Sequence, residues 1–172
     1  MLLEVVLKQG AAYKIILFAV IVVAWIALDQ WAKSLFAGLV PGQTLGTTLG
    51  GLVNLMLVHN TGAAWGIFAD NTFALGVFSV VVVAVLVVYF IVNIRTVNIV
   101  QTVGFALICA GGIGNAIDRF VQGYVTDFIA VTFIDFPVFN VADIGVTCGV
   151  AVLIIGLLIG SRSSGSSAEE GR

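Results

Sequence analysis

Charge is what this chain has least of. Only 9% of its 172 residues are Asp, Glu, Lys or Arg, while 60% are hydrophobic, and the mean hydropathy is +1.18. Soluble domains carry about 25% charged residues, so a water-soluble globule is excluded. Intrinsic disorder, which needs low hydrophobicity and high net charge, is excluded as well. The seven Lys and Arg are scattered and the net charge is −2. No basic run offers a footprint for nucleic acid. Histidine is nearly absent too. His59 is alone, the two cysteines, Cys109 and Cys148, lie apart in apolar segments, and neither CxxC nor HExxH occurs. That excludes a zinc site of the usual composition. Both cysteines read as small buried hydrophobes. His59 has no serine partner in a nucleophile-elbow context and reads as an interfacial hydrogen-bonding residue. No metal and no cofactor are expected.

Apolar length is what the chain has in abundance. The segment Phe73 to Val92 holds 20 residues with Ser79 as its one polar member. At roughly 20 residues per crossing, the chain has room for four transmembrane helices, placed at about 14–35, 73–92, 99–118 and 141–160. After the first apolar run come Asp29, Gln30, Trp31 and Lys33 rather than a small-residue cleavage site, so it reads as an uncleaved span. Two long connections remain. Phe36 to Thr72 contains Pro41, several Gly and the β-like stretch Leu52 to Val58; Phe120 to Asn140 contains Gly123, Pro137 and β-branched residues. A small extramembrane sheet is expected there. The predicted fold is a membrane all-α domain over 1–160, with four spans, a small β-containing outer region and a flexible Ser/Gly-rich tail at 161–172.

Five of the seven basic residues set the orientation. Lys8 and Lys14 precede span one, Arg95 lies in the short middle link, and Arg162 and Arg172 lie in the tail. Four spans put these regions on one side. By the positive-inside rule both termini are cytoplasmic and both long connections face out.

In so apolar a chain the positions of polar residues carry information, because ionisable groups near the bilayer are costly and mark function. Asp29, Lys33, Asp118, Arg119, Asp127 and Asp143, with Asn60, Asn115 and Asn140, all fall at the outward ends of the spans. Asp29 and Lys33 are four apart and share a helical face. They read either as a helix-end pair that fixes depth or as a brace for the cluster. Gly111, Gly112 and Gly114 permit close helix approach, not phosphate binding, since no strand precedes them. Asp118 is followed directly by Arg119, which offers it a compensating charge. Asp143 stands three residues after Asn140, the spacing of a capped helix start, where the dipole stabilises negative charge. Asp127 lies among apolar neighbours. Two close carboxylates can share one proton and act as acid and base on a water without a metal. The spacing alone does not say which two.

These motifs resemble the signal peptidase II family, the bacterial prolipoprotein signal peptidases. The matching blocks are Asp29-Gln30 with Lys33; Asn60-Thr61-Gly62-Ala63-Ala64-Trp65-Gly66; Gly111-Gly112 with Gly114-Asn115 and Asp118-Arg119, continuing through Gly123, Val125 and Asp127-Phe128-Ile129; and Phe139-Asn140 with Ala142-Asp143. Four blocks in order are strongly specific. The resemblance implies an aspartyl endopeptidase of the bacterial cytoplasmic membrane, working near the outer face as a monomer. Its partners would be membrane lipids and lipid-modified precursors, cut just before a diacylglyceryl-bearing cysteine. It implies Asp127 and Asp143 as the catalytic dyad. Asn60, Gly62, Asn115, Asp118, Arg119 and Asn140 would position substrate or support the dyad, with Asp29 and Lys33 as a brace. A small proton-coupled carrier is the alternative, since intramembrane carboxylates also serve proton relays. A carrier needs polar groups through the depth of the membrane, and span two has almost none.

Overall fold

Helix lengths follow the apolar runs. The computed structural model describes residues 2–62 and 71–169, with side chains described for 10–62 and 71–160. Helix α1 is Leu2–Ser34, α2 is Thr72–Val92, α3 is Ile99–Val121 and α4 is Val141–Glu169. All four are long and apolar enough to cross a membrane, over Gly10–Ser34, Thr72–Val92, Ile99–Val121 and Val141–Gly160. Three ends differ from the sequence expectation. α1 starts at Leu2 rather than near residue 14, α3 runs to Val121, and α4 continues to Glu169 through the stretch expected to be a flexible tail. Once a helix is nucleated, each further residue adds a hydrogen bond at little cost, so polar extensions of a spanning helix persist. α3 stops where Gly123 takes a φ of +78°, a conformation glycine adopts without strain.

Strands β1 (Thr44–Thr48), β2 (Val53–Asn60) and β3 (Val125–Val131) form one antiparallel sheet in the order β1-β2-β3. β1 and β2 are joined through a 3-10 turn at Leu49–Gly51. Strand β2 comes from the first long connection and β3 from the last, so pairing them places both connections at the same end of the bundle. Asn60 pairs with Val125 and Val58 with Asp127, with an irregularity between Leu55 and Val58. Two apolar clusters hold the assembly. Ala32, Phe36, Leu57 and Phe128 fix the sheet onto the end of α1, with Phe36 and Phe128 stacked 4.4 Å apart. Phe90, Val97 and Phe105 join α2 and α3 at the opposite end.

Helix α3 is the axis, packing against each of the other three. Its contact with α4 depends on glycine. A Cβ at Gly111 would collide with the Ala142 carbonyl oxygen and Val146, and one at Gly104 would meet the Leu153 and Gly149 backbone. Small residues here let the backbones close, as membrane helices require. The outward faces of α2 and α4 leave Val85, Val88, Ile154 and Leu158 more than half exposed. Apolar faces of this kind suit a lipid surrounding in a multi-pass membrane protein. Cys148 lines the cavity at the start of α4. It is exposed on α4, whereas Cys109 is buried, so the expectation of two buried thiols holds for Cys109 only.

Candidate active site

The site is built where α4 begins. Asn140 precedes the helix, its Oδ1 accepting from the Asp143 backbone N–H (3.0 Å) while Asp143 Oδ2 accepts from the Asn140 N–H (3.1 Å). This reciprocal cap satisfies helix-start donors that would otherwise be orphaned. A further donor is met from α1, where Asp29 Oδ1 accepts from the Ala142 N–H at 2.8 Å. Trp25 Nε1 donates to the Val141 carbonyl at 3.1 Å. Asp143 is therefore both a capping carboxylate and a wall of the cavity beside it. The two readings of that residue are compatible.

Asp127 arrives from the sheet. Alternation along β3 sends Val125 and Asp127 to one face and Thr126 to the other. Asn60, at the end of β2, donates from Nδ2 to Asp127 Oδ2 at 2.9 Å, and Asn140 donates from Nδ2 to Oδ1 at 2.7 Å. Asn60 Oδ1 also accepts from the Gly62 N–H at 3.0 Å, which closes a local turn. Asn140 thus grips both carboxylates, Asp127 through its side chain and Asp143 through its backbone N–H. Asn115 Nδ2 completes Asp143 by donating to Oδ1 at 2.8 Å. Both carboxylates line one cavity of about 450 Å³, with Asn60, Asn115, Arg119 and an apolar wall of Val125, Phe136, Pro137, Val138, Phe139 and Ile144.

The remaining two acids of the cluster are held differently. Lys33 Nζ lies 2.8 Å from Asp29 Oδ2 and 3.0 Å from Asp118 Oδ2, and it donates to Asn115 Oδ1 at 3.2 Å. All three of its protons are therefore engaged, and Asp29 and Asp118 are fully buried. Asp118 Oδ2 also accepts from the Thr126 N–H at 3.0 Å, and Oδ1 accepts from Gln30 Nε2 at 3.1 Å. The sequence neighbour Arg119 is not the partner of Asp118. Consecutive helical residues point about 100° apart, and Arg119 instead turns to the Gly62 carbonyl, donating from Nη2 at 3.3 Å. His59 also departs from expectation. It stacks on Tyr124 at 3.7 Å and, among the described residues, makes no side-chain hydrogen bond.

Burial decides the electrostatics of Asp127, which is 2% exposed. Desolvation first, and the negative charge of Asp143 second, push its carboxyl from 3.8 up to about 7, against the lowering pull of the Asn60 and Asn140 hydrogen bonds and Lys33. Burial and a like charge both disfavour ionisation. Among the described residues no group of His, Cys, Asp and Glu is arranged to hold a metal ion.

The family model described as Signal peptidase (SPase) II matches residues 21–159. The chain belongs to the signal peptidase II family. It is a peptidase, and of the aspartic type. A lipoprotein signal peptidase of Gloeobacter violaceus is 42% identical over 134 residues, covering 77% of this chain and 76% of the relative. One of Streptococcus pneumoniae is 38% identical over 140 residues, covering 81% and 91%. A solved bacterial membrane enzyme, determined by the in meso method at 2.3 Å resolution, superposes with a TM-score of 0.76 at 32% identity, covering 84% of this chain and 88% of that one. Of the motif residues quoted above, Ala63 to Gly66 lie outside the described residues.

Three contributors to this signal peptidase site were not singled out as site residues by sequence. Thr126 supplies a backbone N–H to Asp118 and a carbonyl to Asn140. Gln30 reaches across to α3 at Asp118 and the Gly114 carbonyl. Trp25 fixes the start of α4. Gln30 stood in a matched block. Thr126 acts through its backbone groups, which leave no signature in residue type, and Trp25 acts through its indole N–H on a carbonyl 116 residues away.

Proposed function

We propose that this peptidase removes signal peptides from lipoprotein precursors, cutting just before a diacylglyceryl-modified cysteine with Asp127 and Asp143 as its dyad. The observation that carries the reading is Asn140, which holds both carboxylates on the wall of one cavity. In this mechanism the pair shares a proton. Asp127, with its carboxyl raised to about 7, carries the proton and donates it toward the scissile carbonyl oxygen. Asp143, at the positive end of α4, is the carboxylate that takes a proton from water as the water oxygen bonds to the carbonyl carbon. Collapse of the tetrahedral intermediate breaks the C–N bond: the proton held by Asp143 passes to the departing amine of the cysteine, and one hydroxyl returns its proton to Asp127 as the carbonyl re-forms. The base role is assigned to Asp143 because it, unlike Asp127 on the sheet, lies in the first turn of a helix.

The apolar wall beside the dyad suits a substrate bearing acyl chains. Arg119, Asn60 and Gly62 are the polar groups placed to position its backbone. We further propose that the sheet end of the bundle faces outward from the bacterial cytoplasmic membrane and both termini face the cytoplasm, as the basic residues direct. Reporter fusions after Gly46 and Gln122 should then report the outer side and one after Thr96 the inner. The functional test is to incubate purified protein with a lipidated precursor and with the same precursor unmodified, then weigh the products. Cleavage before the cysteine of the lipidated form alone is expected. Equal cutting of both forms would overturn the substrate assignment, and an inner signal at Gly46 would overturn the orientation.

A further inference from the structure

Beyond Asn60 the chain is fastened at two successive carbonyls. Arg119 Nη2 donates to the Gly62 carbonyl at 3.3 Å, and Thr72 Oγ1 donates to the Thr61 carbonyl at 2.8 Å. Thr72 is the first residue of α2 and is 8% exposed. Among the described residues it makes no hydrogen bond to Asp127 or Asp143. Its place is set by the packing of α2 on α3. Phe73 meets Phe120 edge-on at 5.5 Å, and a Cβ at Gly76 would lie 2.9 Å from the Phe120 ring and 3.3 Å from Arg119 Cβ. Helices this close leave Thr72 little room to shift.

The Thr61 carbonyl and the Gly62 N–H belong to one peptide unit. Such a unit is planar and trans, so the two groups point in opposite directions and holding one aims the other. The Gly62 N–H donates to Asn60 Oδ1 at 3.0 Å, which leaves Asn60 Nδ2 to donate to Asp127 Oδ2 at 2.9 Å. Thr72 therefore heads a relay that runs from hydroxyl to carbonyl, across the peptide to its N–H, and through the amide to the carboxylate. Hydrogen bonds in such a chain polarise one another. The weak point is the peptide itself. With glycine on its C-terminal side it has the backbone freedom to rotate, and rotation would carry the N–H away from Asn60. The amide could then turn over and set its oxygen against Asp127, which repels the ionised carboxylate. A hydroxyl on the Thr61 carbonyl opposes that rotation.

We infer that Thr72 is a positioning residue: its hydroxyl, acting through the peptide between Thr61 and Gly62, fixes which end of the Asn60 amide faces Asp127. Its effect on cleavage rests on the dyad assignment proposed above; its effect on the Asp127 carboxyl does not. The Asn60 hydrogen bond lowers the Asp127 value, so loss of the hydroxyl raises it. The charged groups that act on Asp127 are Asp143 on α4, Arg119 on α3 and Lys33 on α1. All are retained when Thr72 alone is changed.

The test is Thr72→Val, which keeps the volume and deletes the donor, made in the full-length protein in micelles. Two readouts are followed, cleavage of lipidated precursor against pH and the melting midpoint against pH. Turnover should fall about five-fold, the worth of one hydrogen bond, with KM unchanged. The alkaline fall in cleavage and the alkaline fall in melting midpoint should both move upward by about half a pH unit. Thr72→Ser, which restores the hydroxyl, should return both profiles to those of the parent. In an Asn60→Ala background Thr72→Val should shift neither profile further, because the relay is already cut. Where Thr72→Val gives no folded protein, Thr72→Cys, a weaker donor, should show the same changes at smaller size. A melting midpoint lowered equally at every pH, with the cleavage profile unmoved, would make Thr72 a purely structural residue and overturn the inference. So would Thr72→Ser behaving as Thr72→Val, or a full-sized further shift beside Asn60→Ala. A parent that cleaves no lipidated precursor would instead sink the proposed function, and the melting profile would still decide the relay.

Discussion

Four carboxylates crowd one end of this bundle, and they divide into two pairs by what holds them. Asp29 and Asp118 share the ammonium of Lys33. Asp127 and Asp143 are held instead by the amides of Asn60, Asn115 and Asn140. The difference is chemical. A buried carboxylate locked to a buried cation keeps its charge and cannot lend or take a proton cheaply. One that accepts hydrogen bonds from neutral amides is oriented as firmly, yet its charge is not cancelled and its proton remains exchangeable. In the proposed mechanism the first pair serves as frame and the second as reagent. Lys33 also donates to Asn115, which fixes which way that amide points and so aims its NH₂ at Asp143.

Removing a reagent carboxyl should have the largest effect on rate. Asp127→Asn and Asp143→Asn should each cut turnover by about 10⁴-fold while leaving the melting midpoint near that of the parent, because acid–base groups contribute on that scale and Asn preserves volume. The loss should appear in rate rather than in substrate binding. A folded, inactive Asp118→Asn beside an active Asp127→Asn would move the dyad to Asp118 and break the comparison.

Frame residues should fail in the other sense. Lys33→Met leaves two buried carboxylates without their cation and should cost about 3–5 kcal/mol, seen as lost folded yield in micelles. Asp118→Asn should lower folded yield less and retain measurable cleavage. Full stability of Lys33→Met would erase the distinction between the pairs.

Proton occupancy sharpens it further. Asp127 must keep its proton to act as the acid, so cleavage should fall as pH rises through about 7. The same shift has a signature in stability. The folded-state value lies above the ordinary 3.8, so the stabilisation is full below that ordinary value and is lost as pH rises toward about 7. Asp127→Asn should flatten that slope. Asn60→Ala removes a hydrogen bond that lowers the Asp127 value. It should therefore move the alkaline fall in activity upward and weaken cleavage about ten-fold, with membrane insertion unchanged. A pH profile identical to the parent would return Asn60 to a purely structural part. The smallest effect expected is none: a chelator should leave cleavage intact, and specific restoration of a chelated sample by one divalent ion would refute the metal-free mechanism.

Much of this is legible in the amino-acid sequence. Four apolar runs interrupted by two longer connections define the spans, and the polar residues at the ends of those runs define the cluster, because membrane burial makes each such residue conspicuous. The sheet was foreshadowed by β-branched stretches in both connections. The partner of Asp118 was not legible. Sequence adjacency offers Arg119, whereas the cation that reaches it, Lys33, is 85 residues away and meets it only after α1 packs on α3. For the same reason residue types and spacing alone could not separate Asp118 from Asp127. Their difference lies in which side of β3 each approaches, and the resemblance to the family had to choose. Cys148 is exposed where Cys109 is buried because in a membrane protein the bundle has an outside that is as apolar as its inside, so polarity alone does not predict burial.

The start of α4 has a consequence for the order in which this protein is made. Its first turn is held by Asp29 and Trp25, residues that leave the ribosome more than a hundred positions before the helix they secure. Until the fourth span has entered the bilayer and found the first, Asp143 has no fixed position and Asn140 has nothing to bridge. On the proposed assignment, a chain whose fourth span has not yet docked carries no working dyad.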